Sequence, residues 1–214
     1  MSYLPQLILA APLILFSLAM HEFAHGLTSV RLGDPTPEKQ GRLTLNPLAH
    51  LDPLGTLMII LTMLGGIGFG WARPVQIDPS HYKNPERGAV LVALAGPFTN
   101  FVLAVFFGLP LRLLRMGFFS QPGAGGIGML VLQFFSTGVL LNLSLGCFNL
   151  LPVPPLDGSR ILRFFLRGNA LRIYKQFESY GFLILFAVLL IFRRQFRTVL
   201  FGIVLFFYHI ITGF

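Results

Sequence analysis

The sequence predicts an all-α polytopic membrane protein, a bundle of five or six transmembrane helices with a short possible β segment after the first helix. Charged residues make up only 11% of the 214 residues, where a soluble domain carries about a quarter. The charges are also bunched, with none in residues 1–20, 88–111, 116–156 or 179–192. Each gap is of the order of the roughly 20 apolar residues needed to cross a hydrocarbon core. Phenylalanine contributes 23 residues against eight acidic ones, a balance that suits lipid better than water.

The first helix is predicted over Leu4 to Arg31, with Pro5 and Pro12 early in it and an exit at Gly33-Asp34-Pro35-Thr36-Pro37. Lacking a basic start and a small-residue cleavage site, this run reads as a retained span rather than a signal peptide. The short polar segment from Glu38 to Asp52 contains Arg42-Leu43-Thr44-Leu45, whose alternation is that of a brief strand, with a surface loop the equal alternative. Residues Pro53 to Trp71 are apolar but glycine-rich at Gly65-Gly66-Ile67-Gly68, and read as a second span or a re-entrant piece. A polar loop from Trp71 to Arg87 leads to a span over Gly88 to Leu114. After the glycine-rich link from Gly123 to Gly128 comes another, Met129 to Leu151, ended by Pro152-Val153-Pro154-Pro155, which cannot continue a helix. Ser159 to Lys175 is basic and amphipathic, and Phe177 to Phe192 and Phe196 to Phe214 are the last apolar runs. No internal repeat is visible, and the whole of 1–214 reads as one membrane-embedded domain with no room for a separate soluble one.

The net charge of +8 is that of loop cations meeting anionic headgroups rather than of nucleic-acid binding. Membrane lipid is therefore an expected partner and nucleic acid is not. The single cysteine, Cys147, lies in an apolar run and reads as a small packing residue.

The chemistry is carried by His21-Glu22-Phe23-Ala24-His25, an H-E-x-x-H pattern. Residues four apart share one face of a helix, so both imidazoles reach one zinc ion, and Glu22 stands where it can deprotonate a zinc-bound water. Chance produces the pattern in roughly one chain of this size in a hundred or fewer. These ionisable groups end an uncharged run of twenty residues, a costly placement in lipid unless they pair or bind an ion. The rival reading is polar glue between helices, or an ion path.

A catalytic zinc wants three protein ligands and an open position. Candidates for the third are His50, Asp34, Asp52, Asp157, Glu178 and His209. Asp157 stands out because it follows a proline-broken apolar helix, and a break at membrane depth is tolerated only in protein or beside a watery cavity. Its alternative role is to cap the helix beginning near Ser159.

At these residues the chain resembles the site-2 proteases, membrane zinc metalloproteases of regulated intramembrane proteolysis. The resemblance rests on His21-Glu22-x-x-His25, on Gly96-x-x-x-Asn100, and on Asn149-x-x-Pro152-x-x-x-x-Asp157-Gly158, in that order and separation. It implies a catalytic core over about residues 4–161, with accessory spans over about 177–214. By it, His21, His25 and Asp157 bind zinc and Glu22 is the general base. Asn100 and Asn149 lie near the active site, holding substrate backbone or stabilising the oxyanion, with interhelical hydrogen bonding as the alternative for each. The implied partner is a transmembrane protein substrate, which must unwind locally before attack, and the expected home is a prokaryotic inner membrane. The glycine-rich elements at Gly65–Gly68 and Gly123–Gly128 are candidates for gate movement. Many members carry a PDZ domain or paired CBS domains, and this sequence shows neither. Two rivals remain: a membrane-bound zinc protease cutting segments at the cytoplasmic face, and a metal or proton transporter.

Overall fold

Lipid offers no partner to a bare peptide group, so an apolar chain that enters it must satisfy its own N–H and C=O groups as helix. The computed structural model describes residues 4–65, 73–118 and 126–214, and among them nine helices and no strand are found. Among the described residues four helices are long and apolar enough to cross a membrane, or five if one bent pair counts as a broken span. The chain divides into two compact units, Met1–Gly88 and Ala89–Phe214.

In the first unit, α1 (Leu4–Arg31) has 28 residues and is about 42 Å long. It contains Pro12 and ends where Gly33 turns back at φ 108°. A four-residue helix, α2 (Thr36–Lys39), and a 3-10 turn at Pro47–His50 pack against α1. Between them Arg42–Leu45 is loop. The carbonyl of Thr44 accepts a bond from His50 Nε2 at 2.8 Å, so this backbone is used locally instead of in a strand ladder. The 13 residues of α3 (Pro53–Gly65) reach about 20 Å, short of a bilayer core of about 30 Å. Residues 66–72, which hold the rest of that apolar run and most of the first candidate gate, lie outside the described residues. From Arg73 the chain runs without helix to a 3-10 turn at Pro79–His81.

Helix α4 (Pro85–Arg115) starts at the end of the first unit and runs through the second, where α5 (Ile127–Asn149) lies antiparallel to it. Small residues make this approach possible. A Cβ on Gly138 would fall 2.6 Å from the Phe107 ring and one on Gly146 2.9 Å from the Phe101 ring, the small-residue packing typical of membrane helices. Helix α9 (Arg193–Thr212) runs antiparallel along α5: Phe148 meets Phe196 with ring centroids 6.0 Å apart, and Ser136 bonds Tyr208 at 2.9 Å.

Where α5 ends, Leu150–Leu156 carries the chain through turns into α6 (Asp157–Phe165). The predicted basic amphipathic stretch is two helices, α6 and α7 (Gly168–Glu178), broken at Leu166–Arg167. Tyr174 Oη donates to the carbonyl of Ser159 at 3.2 Å, and Arg163 meets Glu178 at 3.5 Å, tying α7 to α6. Helix α8 (Gly181–Ile191) is apolar throughout and bends 80° from α7. Its 11 residues span only about 16 Å. Residues 123–125 of the second candidate gate are outside the described residues.

Candidate metal centre

The H-E-x-x-H residues lie about five to six turns from the start of α1, still inside the span Leu9–Arg31. Helical spacing brings their rings together: His21 Nε2 and His25 Nε2 are 3.0 Å apart, and the rings meet edge to face. Both histidines are buried. Two nitrogens bound to one tetrahedral zinc at 2.0–2.1 Å stand about 3.3 Å apart. The pair therefore needs almost no rearrangement to share one ion, and two neutral imidazoles are a donor set that zinc accepts.

Glu22 sits between them in sequence and points to a different partner. Its Oε2 accepts the backbone N–H of Val75 at 2.9 Å. Val75 is buried, and its Cγ1 lies 3.5 Å from where a Cβ on Gly26 would be. The segment carrying Val75 is tied down at both ends. Arg73 N donates to His50 O at 2.8 Å, and Asp78 N donates to Asp34 Oδ2 at 2.7 Å.

Asp34 is the hub of this arrangement. Its Oδ2 also accepts from Ser29 Oγ at 2.7 Å, and Oδ1 accepts from Thr36 N at 2.9 Å. Ser29 Oγ lies 2.6 Å from Tyr82 Oη; since the serine proton goes to Asp34, the tyrosine donates. Burial by itself would raise the Asp34 pKa, but the bonds from Thr36, Asp78 and Ser29 prevail and lower it from 3.8 to about 2.

The other candidates for a third ligand are also committed within their own units. His50 donates Nε2–H to Thr44 O, because a carbonyl can only accept, while its Nδ1 is buried without a partner. Asp52 Oδ1 accepts from Gly55 N at 2.7 Å at the start of α3. Glu178 pairs with Arg163, and His209 Nδ1 bonds the carbonyl of Phe214. His81 is an exposed turn residue.

In the second unit Asp157 is the first residue of α6, and the capping position is Leu156. Asp157 therefore stands in the first turn of α6 rather than at its cap, and no side chain caps that helix start. Gly158 follows against the exit of α5, and a Cβ there would fall 2.1 Å from Leu150 O and 2.5 Å from Leu151 O. The Asp157-Gly158 dipeptide is wedged at the proline-broken end of α5. Asn100 is fully buried and donates Nδ2–H to Asn142 Oδ1 at 3.0 Å, while Asn142 Nδ2 donates to Gly138 O at 2.9 Å. Asn149 Nδ2 donates to Leu145 O one turn back at 3.0 Å.

Sequence reasoning did not single out Asn142, Tyr82 or the Val75 amide. Asn142 had a readable signal: it is a second amide in an apolar run, and an amide in lipid needs a partner. Nothing in the sequence announces the Val75 N–H, because every residue but proline carries one.

A helical membrane scaffold bearing a paired-histidine helix defines the class of membrane zinc metalloproteases. Residues 124–192 match Peptidase family M50. YwhC of Bacillus subtilis is 42% identical over 184 residues, covering 86% of this chain and 80% of its own length. Rip2 of Mycolicibacterium smegmatis is 36% identical over 193 residues, covering 89% and 70%. MJ0392 of Methanocaldococcus jannaschii matches a shorter stretch, 37% over 81 residues, or 38% of this chain and 21% of its own. All three are named as zinc metalloproteases. No solved structure matches. The chain belongs to peptidase family M50, the site-2 protease family, and is a zinc-dependent membrane metalloprotease.

Proposed function

We propose that this protease cuts transmembrane segments of other membrane proteins, within or at the edge of a prokaryotic inner membrane. The observation that carries the reading is the position of the His21–His25 pair inside a span, with Nε2 atoms 3.0 Å apart. His21 and His25 supply two zinc ligands and Asp157 the third. Asp157 is favoured by its place with Gly158 at the proline-broken exit of α5, where the family's motif sets an acidic ligand.

When bound, zinc supplies a Lewis acid that polarises a peptide carbonyl and brings the pKa of a water near neutrality. Glu22 takes the proton of that water on Oε1, because Oε2 is held by the Val75 N–H, and returns it to the leaving amine. A hydrogen-bonded substrate helix shields its own carbonyls, so local unwinding precedes attack. Asn149 spends one amide hydrogen on Leu145 O, which leaves its second hydrogen and its Oδ1 for unwound substrate backbone. The Asn100 amide serves the α4–α5 contact through Asn142.

The test is metal content and cleavage measured together on the purified full chain with a model transmembrane substrate. Glu22→Gln should keep about one zinc per chain and lose cleavage, while Asp157→Ala should lose zinc. Retention of zinc in Asp157→Ala would remove Asp157 from the ligand set. Cleavage of soluble segments alone would move the site of action to the membrane surface, and ion flux without peptide cleavage in either form would mean a transporter.

A further inference from the structure

The second unit sorts its charges by end. The contacts of Phe148 with Phe196 and of Ser136 with Tyr208 make α9 antiparallel to α5, so the start of α9 lies at the α5 C-terminal end. The opposite end is fixed by Arg115 Nε, which donates to Gly213 O at 3.3 Å. Helix α6 begins at the α5 exit through Gly158, and α7 is tied to α6 by Tyr174 and Glu178. Ten Lys and Arg lie in residues 89–214: eight, from Arg160 to Arg197, gather at the α5 exit, and two, Arg112 and Arg115, lie at the far end. Lys and Arg beside spans favour the cytoplasmic side, where the leaflet surface is negative.

Within this cationic end α7 is amphipathic. A groove of about 500 Å³ runs along it, lined by Gly168, Leu171, Arg172, Lys175, Gln176 and Ser179. On the opposite side of the helix Ile173 and Phe177 are exposed. One face is thus cationic and the other apolar, the pattern of a helix whose apolar side sinks to the headgroup boundary. Arg163 meets Glu178, but neither Arg172 nor Lys175 forms an ion pair among the described residues. Two unneutralised cations one turn apart, flanked by the amide of Gln176 and the hydroxyl of Ser179, match the charge and the acceptor oxygens of a phosphodiester.

We propose that this α7 groove seats the headgroup of an anionic phospholipid in the cytoplasmic leaflet. Arg172 and Lys175 hold the phosphate, Gln176 and Ser179 donate to its oxygens, and Ile173 and Phe177, on the opposite side of the helix, enter neighbouring lipid. The bound lipid pins α7 at the membrane surface at the end of the molecule where α6 begins with Asp157. This assignment does not rest on the proteolytic reading, because lipid binding is read without substrate.

The test uses the purified full chain in detergent micelles, with phosphatidylglycerol and phosphatidylcholine as competing probes and bound lipid counted by native mass spectrometry. At low salt the wild type should retain phosphatidylglycerol about tenfold better than phosphatidylcholine. Arg172→Gln combined with Lys175→Gln should bring that preference to within about threefold. Arg112→Gln combined with Arg115→Gln removes the same charge from the other end and should leave the preference intact. An unchanged preference in the α7 variant would overturn the proposal, as would an equal loss in the control. Displacement of the lipid by millimolar inorganic phosphate would also overturn it, since the groove would then be a seat for free phosphate.

Discussion

Replacing Asp34 by Asn keeps the size of the side chain and removes one acceptor. The carboxylate is fully buried and is bonded by Ser29 Oγ and Asp78 N on Oδ2, by Thr36 N on Oδ1, and by the Thr36 hydroxyl. An amide has one acceptor oxygen. Its NH₂ must therefore face Thr36 N–H, or else face both Ser29 and Asp78. The lowering of the Asp34 pKa from 3.8 to about 2 gives the electrostatic part of the cost, at about 1.4 kcal/mol per pKa unit, as about 2 to 2.5 kcal/mol. Because the folded-state pKa lies below the unfolded one, this stabilisation is complete above about pH 5. It declines as pH falls through 4 toward 2, and roughly half is gone at pH 3.

Two titratable groups lie beside Asp34. His81 Nδ1 lies 3.8 Å from Asp34 Oδ1 and 3.4 Å from Asp78 Oδ2. Asp78 is itself lowered by Ser80, whose side chain and N–H both donate to it. Thermal unfolding of the purified chain at pH 7 and pH 3 is the assay. At about 2–4 °C per kcal/mol for a chain of this size, Asp34→Asn should unfold about 5–10 °C below wild type at pH 7, with the gap narrowing by about 2–4 °C at pH 3. A variant within about 1 °C of wild type at pH 7, or a gap that does not narrow in acid, would refute the view of Asp34 as an ionised hub.

Gly158→Ala should cost at least about 3 kcal/mol and abolish zinc binding with it, because the new methyl meets Leu150 O at 2.1 Å and backbone cannot yield cheaply. Gly26→Ala, whose Cβ would find nothing nearer than 3.5 Å, should change the melting temperature little or raise it, since alanine favours helix by up to about 1 kcal/mol. Asn142→Leu removes the acceptor of Asn100 and should cost about 1–2 kcal/mol, read in a denaturant titration in mixed micelles. Stripping zinc with a strong chelator should end proteolysis and lower the melting temperature, and stoichiometric zinc should restore both.

The spans were legible because each is a long uncharged run, and lipid allows such a run little besides helix. The candidate zinc helix stands out for a related reason: ionisable residues at spacing four inside an apolar segment have few other uses. Helix ends proved less readable. The basic stretch from Ser159 to Lys175 divides at Leu166–Arg167, where no proline marks the break and Gly168, at φ 56°, starts the next helix. The alternation at Arg42–Leu45 resembled a strand, yet a strand needs a neighbour. The His50 ring takes the Thr44 carbonyl instead, a contact that depends on the turn between them rather than on residue pattern.

Asp34 shows where composition stops being informative. As a letter in the sequence it was one of several possible zinc ligands, equal in chemistry to Asp52 or Asp157. What separates these three is which donors face their oxygens. Asp34 meets Ser29, Thr36 and Asp78, and Asp52 meets the Gly55 amide. Asp157 is the first residue of α6, at the proline-broken exit of α5. Two of these acids are thus drawn into holding backbone. The same donors that remove Asp34 from the list of ligands fix the segment whose Val75 N–H orients Glu22. The Asp34 carboxylate and that of Glu22, the proposed base, are in this way coupled through the four residues Val75 to Asp78, and loosening Asp34 should therefore lower turnover before it alters zinc content.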